Sequence, residues 1–285
     1  MLKINNMTKK FGKKTVLNNI SFTFEDGIYG LLGPNGSGKT TLMRCITGLY
    51  KTPKNTIIYK DVNAKEKADF YSQIGYLSQS FGMFKEITVK EMLELFASLK
   101  EIPKKETEEE ILRTLKMVNL SNEANTIIAN LSGGMVRRVG IAQALLGDPK
   151  VIIFDEPTVG LDPEERLRFK NIIAKLSKDK IVIISTHIVE DVEAICNKII
   201  IMNKGSILVN GDNEYIENIA KDKVYVVPEN ELSKIDFTYE VEKRYTENGI
   251  NYARILCDND LEYKKIKSTI EDGYMYAIHK NENAF

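Results

Sequence analysis

Short apolar, β-branched runs alternate with longer amphipathic stretches through about residue 212. The runs at 28–32, 74–77, 151–155, 181–185 and 198–202 are apolar at nearly every position rather than at every second one. That pattern predicts strands buried on both faces of a parallel sheet. The stretches at 39–47, 89–99, 106–118, 134–146 and 163–177 predict helices. The last has Asp162 at the N-cap position and Pro163 at the first helical position, both favourable openers. Residues 20–24 and 28–32, separated by Glu25-Asp26-Gly27, predict a β-hairpin turning at Asp-Gly. From about residue 213 the texture changes. A strand at 224–227, a short helix at 229–235, strands at 238–244 and 250–256, a helix at 260–271 and a strand at 274–279 give the order β-α-β-β-α-β of a ferredoxin-like domain. The chain thus divides into a large α/β unit, 1–215, and a small α+β accessory unit, 216–285.

Composition narrows the function. Of 285 residues, 43% are hydrophobic, enough for a substantial core. Forty basic and forty acidic residues cancel, which argues against a protein that holds nucleic acid by bulk phosphate neutralisation. Cys45, Cys196 and Cys257 share no short spacing, which excludes a disulfide framework or Cys-rich zinc module and suits a reducing cytosol. His187 and His279 are too few for a His-built metal site. No apolar run approaches the roughly 18 residues of a membrane helix. Met1-Leu2-Lys3-Ile4-Asn5-Asn6 lacks the apolar centre of a signal peptide. The expectation is a cytoplasmic chain that forms no membrane pore itself.

The chemistry begins where the first buried strand ends. Gly33-Pro34-Asn35-Gly36-Ser37-Gly38-Lys39-Thr40 fits G-x-x-x-x-G-K-[ST] at every fixed position, with Thr41 next on the predicted helix. Glycines let successive N–H groups converge on one anion, and the helix N-terminus adds partial positive charge. Lys39 supplies a full charge for the β- and γ-phosphates of a nucleotide, and the Thr40 hydroxyl is placed to ligate Mg²⁺. The strand at 151–155 ends in Asp155 and then Glu156, adjacent acids that are costly beside a buried strand unless a cation compensates them. Asp155 is assigned to the Mg²⁺ shell, and Glu156 to the base that deprotonates a water in line with the γ-phosphate.

Between these motifs lies Leu131-Ser132-Gly133-Gly134-Met135, which resembles the signature of ATP-binding cassette (ABC) proteins. Other positions match that family. Gln79 matches the Q-loop glutamine near γ-phosphate and metal, Gly160-Leu161-Asp162 the D-loop, and His187 the switch histidine. Phe11 matches the aromatic that stacks on adenine, the other reading being a plain core aromatic. The resemblance spans residues 1 to about 215. It implies a P-loop NTPase cassette: a mixed-sheet core, an antiparallel N-terminal β part and a helical signature subdomain at about 80–146. It also implies a second ATPase subunit packed head to tail, with Ser132, Gly133 and Gly134 of one copy facing the triphosphate of the other.

The interval between Lys39 and Ser132 is too short for the coiled-coil arm of the chromosome-maintenance branch, and there is one cassette where the translation-factor branch usually carries two. The resemblance therefore implies a transporter ATPase, peripheral on the inner face of the cell membrane and bound to an integral-membrane permease. Residues 79–93 are similar to subunits that serve separate export-type (ABC-2-like) permeases, which carry drugs, antimicrobial peptides or lipid-like cargo. Phe81, Met83 and Phe84 either line the groove for such a permease or belong to the helical core. Arg137 and Arg138, just after the signature, read as a solvated or interdomain face. The competing function is a soluble ABC ATPase acting as a mechanical switch on a ribosome or nucleic acid. Zero net charge and the absence of an arm or basic tail favour the transporter.

Overall fold

The structure is a computed structural model that describes residues 1–60, 62–63, 68–176 and 179–281. Its strands are β1 (Leu2–Phe11), β2 (Lys14–Phe24), β3 (Gly27–Leu32), β4 (Ile57–Tyr59), β5 (Val62–Asn63), β6 (Ile74–Leu77), β7 (Val151–Asp155), β8 (Ile181–Thr186), β9 (Lys198–Asn203), β10 (Ser206–Gly211), β11 (Val224–Pro228), β12 (Tyr239–Glu247), β13 (Ile250–Cys257) and β14 (Lys264–Lys265). Its α-helices are α1 (Lys39–Ile46), α2 (Val89–Leu99), α3 (Lys104–Met117), α4 (Gly133–Leu145), α5 (Pro163–Ala174), α6 (Val189–Ile195), α7 (Asn213–Ile219) and α8 (Ile270–Asn281). The helix predicted over 163–177 ends at Ala174 in the structure, and its last predicted residue, Ser177, lies outside the described residues.

The five apolar runs are five strands of one six-stranded sheet, ordered β10-β9-β3-β8-β7-β6. Strands β9, β3, β8, β7 and β6 run parallel and β10 closes the edge antiparallel. Side chains alternate across the sheet, so each strand feeds two cores. Ile152, Phe154, Val182 and Ile184 face the helical layer, which includes Val139, Phe169 and Val192. Val151, Ile153, Ile181 and Ile183 face α1 and the second sheet, with Leu42, Met43, Leu17 and Phe24. Burial on both faces is why these strands carry no polar alternation.

The second sheet, β2-β1-β4-β5, is antiparallel. This corrects the hairpin expected at Asp26-Gly27. β2 pairs instead with β1 across Gly12-Lys13, while β3 crosses into the parallel sheet between β8 and β9. Asp26-Gly27 is a bend between two sheets. β2 keeps an exposed face and needs a half-exposed partner, whereas five of the six residues of β3 are buried.

Helices α2 and α3 pack against α4 through Met92, Leu93, Ile111, Leu115 and Val139. Thr88 and Glu91 form a reciprocal capping box that starts α2. Phe81 and Met83 pack partly buried on this core, Phe81 stacking on Phe96, while Phe84 is exposed.

The C-terminal region departs from the ferredoxin-like order. Strands β12-β13-β11-β14 form an antiparallel sheet, but residues 274–279, expected as a strand, lie inside α8, and the helix expected at 260–271 is replaced by β14 and the start of α8. Ile270, Ala277 and Ile278 join the main helical-layer core at the spacing of a helix face. Thr269 and Asp272 cap one another at the start of α8, each N–H donating to the other's side chain. Gly273 lets α8 approach α7, since a Cβ there would lie 1.9 Å from the Ile216 carbonyl oxygen. Arg254 of β13 bridges Glu242 of β12 and Asp272, tying the small sheet to that helix start. Burial, with the Asp272 carboxylate beside it, pushes Glu242 up to about 9.

Candidate active site

The loop between β3 and α1 curls because Gly36 and Gly38 adopt φ of +82° and +109°, a region L side chains rarely enter. With Lys14, Thr15, Val16, Gln79, Glu156, Lys204 and Gly205, residues 35–41 line a pocket of about 640 Å³. Lys39 is 6% exposed; its ammonium donates to the Gly33 carbonyl at 2.6 Å and the Pro34 carbonyl at 3.2 Å, and lies 3.7 Å from Glu156 Oε1. Burial lowers the Lys39 pKa, against the opposing pull of Glu156 and Asp155. The Ser37 hydroxyl is buried with no hydrogen-bond partner among the described residues. A buried hydroxyl without a partner, on a loop curled at Gly36 and Gly38, fits a phosphate oxygen.

Asp155, at the end of β7, is fully buried. Its Oδ1 accepts from Thr40 Oγ1 at 3.1 Å and Ser185 Oγ at 2.7 Å, and its Oδ2 lies 3.5 Å from Tyr76 Oη. Burial and the Asp155 charge push the Tyr76 phenol up to about 12. Thr40 and Asp155 thus present two oxygens at one point beside the loop. That sparse set fits Mg²⁺, which keeps waters and takes its other ligands from phosphates. Among the described residues, no group of three or more His, Cys, Asp or Glu side chains is placed to hold an ion alone.

Glu156 follows with φ of +49°, a left-handed conformation that costs about 1–3 kcal/mol in a non-glycine residue. Its carboxylate is 6% exposed and lies 3.0 Å from His187 Nδ1. His187 stands just beyond β8, whose neighbour in the sheet is β7, so the sheet itself brings the two together.

The structure places Lys39, Thr40, Thr41, Gln79 and Glu156 around one pocket, with Asp155 and His187 bonded to its members. Ser132 is exposed at the N-cap of α4, its Oγ accepting from Met135 N–H at 3.2 Å, and Ser132, Gly133 and Gly134 do not line that pocket. Asp162 likewise caps α5 outside it. Phe11 is 44% exposed, edge-on to Tyr50 at 5.2 Å, and is not in the lining. Arg137 and Arg138 are not a solvated face. Arg138 is 8% exposed and bonds the Val118 and Asn119 carbonyls and Glu165. Arg137 turns inward to main-chain carbonyls beneath the site, a role that no spacing in the sequence marks.

A family model described as ABC transporter matches residues 17–159. The uncharacterized ABC transporter ATP-binding protein YhcH of Bacillus subtilis is 34% identical over 229 residues, covering 79% of this chain and 74% of that protein. The Nod factor export ATP-binding protein I of Rhizobium johnstonii is 36% identical over 210 residues, covering 72% and 67%. ABC transporter A family member 1 of Dictyostelium discoideum is 35% identical over 234 residues, 79% of this chain, which spans 27% of that longer protein. Among solved structures, a dimeric post-hydrolysis ATP-binding cassette bound to ADP and Pi superposes with a TM-score of 0.65 at 27% identity, covering 74% of this chain and 98% of that one.

Proposed function

The chain belongs to the ABC transporter family, and from that premise we propose that it is the ATP-hydrolysing subunit of an exporter, working as one of a pair beneath a separate ABC-2-like membrane permease. The observation that carries this reading is the Glu156 carboxylate, set between Lys39 and His187 at the phosphate-loop pocket. The cassette is residues 1–215 with its helical subdomain at about 80–146, and residues 216–285 are an accessory unit. The names of the Nod factor export relatives support export. The cargo class is a drug, antimicrobial peptide or lipid-like compound, and the location is the inner face of the cell membrane. Among the described residues no helix is long and apolar enough to cross a membrane.

In this mechanism loop N–H groups within residues 35–41 and the Lys39 ammonium hold the β- and γ-phosphates, and Ser37 Oγ donates to one of their oxygens. Phe11 stacks on adenine. Thr40, Asp155 and Gln79 would hold Mg²⁺, which when bound would offset charge on the phosphate oxygens. Glu156 takes a proton from water as the water oxygen bonds to the γ-phosphorus; the bond to the bridging oxygen breaks and ADP leaves with that electron pair. His187 holds the carboxylate in line from Nδ1. Ser132, Gly133 and Gly134 serve the triphosphate of the paired subunit, and Asp162 lies at that junction. Once phosphate leaves, the bridge between subunits is lost and the pair loosens.

Glu156→Gln tests the reading. It is expected to bind ATP, to lose at least about a hundredfold in turnover and to accumulate as an ATP-bound pair on a sizing column. Turnover at the wild-type rate would refute it.

A further inference from the structure

We propose that Arg137 is a positioning residue for hydrolysis: from α4 it clamps the main chain on which Glu156 stands and ties that chain to the segment carrying Gln79. The proposal rests on the reading of Glu156 as the group that takes the proton from water. Arg137 Nη2 donates to the Glu156 carbonyl at 2.7 Å and the Asp155 carbonyl at 3.3 Å. Its Nε donates to the Pro157 carbonyl at 3.1 Å, and its Nη1 to the Gln79 carbonyl at 3.3 Å. Three of the four acceptors are consecutive, at the point where the chain leaves β7.

That point is where the backbone most needs holding. Glu156 adopts the left-handed conformation, and such conformations persist only where the surroundings over-determine them. On its N-terminal side, the Glu156 N–H donates to the Ser185 carbonyl at 3.1 Å and Ser185 Oγ at 3.0 Å. On its C-terminal side, Arg137 holds the Glu156 carbonyl. The residue is therefore fixed from β8 on one side and from α4 on the other. A planar guanidinium with five N–H donors reaches carbonyls that diverge in direction, whereas an ammonium is a single point with no fixed fork. The neighbouring arginine does different work: Arg138 bonds the end of α3 and Glu165 of α5, bracing α4 itself.

The residue contacts the pocket only through other groups, so its removal should spare nucleotide binding and disturb the aim of the carboxylate. The test uses Arg137→Ala and Arg137→Lys in the full chain, with steady-state hydrolysis over a range of ATP and equilibrium titration with a fluorescent ATP analogue. The expected result is a kcat lowered about ten- to hundredfold, as for a sub-ångström to one-ångström misplacement, with KM and affinity within about twofold of wild type. Lysine should not restore the rate. Millimolar ethylguanidinium should recover part of it in Arg137→Ala and none in Glu156→Gln. Turnover within about twofold of wild type in either Arg137 variant, or a parallel loss of affinity and turnover, would overturn the proposal. If Arg137→Ala does not fold, Arg137→Lys keeps the cation and stem and is read by the same criteria. A wild-type rate in Glu156→Gln would sink the underlying reading; an inactive Glu156→Gln beside fully active Arg137 variants would sink only this inference.

Discussion

Ser185→Ala isolates one hydrogen bond on which the buried acid depends. Ser185 lies in β8 with no exposed surface; its hydroxyl donates to Asp155 Oδ1 at 2.7 Å and accepts the Glu156 N–H at 3.0 Å. Alanine removes both contacts, but unequally. The Glu156 N–H keeps the Ser185 carbonyl at 3.1 Å, so that loss is nearly neutral. Asp155 keeps Thr40 at 3.1 Å and a long contact to Tyr76, so it loses the shortest of its three side-chain donors. A hydrogen bond to a charged group contributes about 1.5–3 kcal/mol. For a chain of this size each kcal/mol moves Tm by roughly 2–4 °C, so a loss of ~2 kcal/mol lowers Tm by about 4–8 °C. Thermal unfolding followed by circular dichroism without nucleotide measures this. A Tm within about 1 °C of wild type would refute the argument, because it would mean that Asp155 does not lean on that hydroxyl.

Gly273→Ala tests how α8 is seated. In an open helix the change should stabilise by about 1 kcal/mol, but here the new methyl would sit 1.9 Å from the Ile216 carbonyl. The expected sign is therefore reversed, with lower Tm and lost hydrogen-exchange protection across Ile270–Asn281; a raised Tm would show that α8 does not approach α7 this closely. Lys100 supplies a pH test. Its ammonium donates to the Leu146 carbonyl at 2.7 Å, and burial pushes its pKa down to about 8 from 10.5. The unfolded chain holds that proton up to higher pH, so stability contributed by this group rises between about pH 8 and 10.5. Urea unfolding of Lys100→Met should show a smaller rise across that window than wild type; an identical rise removes Lys100 as its source.

The sheet and the phosphate loop were legible because each leaves a local mark. Strands buried on both faces read as unbroken apolar runs, and the loop's glycines, Lys39 and Thr40 occupy fixed positions. The sheet-crossing bend was not legible, since Asp26-Gly27 reads alike whether the flanking strands pair or diverge. β1 was missed because its core contribution rests on Leu2, Ile4 and Met7 among polar residues. In α8, the aromatic and β-branched content of 274–279 suggested a strand, while the spacing of Ile270, Tyr274, Ala277 and Ile278 is that of a helix packed on the core. Arg137 was misread because main-chain carbonyls, which it bonds at the site, have no residue identity for a motif to record.

The proposed pairing makes two demands on Ser132, and its geometry answers both. The first is reach: a group meant for another subunit's triphosphate must be exposed and outside its own phosphate pocket, and Ser132 and Gly133 are exposed at the open end of α4. The second is chemical. A serine whose hydroxyl donated to its own helix could not also donate to a phosphate. Ser132 Oγ instead accepts, from Met135 N–H, which starts the helix and leaves the hydroxyl proton available for another acceptor. The N–H groups of the first turn add donors at the positive end of the dipole. One side chain thus caps its own helix and remains a donor to an anion, a dual use closed to aspartate, which would cap α4 as well but is acceptor-only when ionised and would repel a triphosphate.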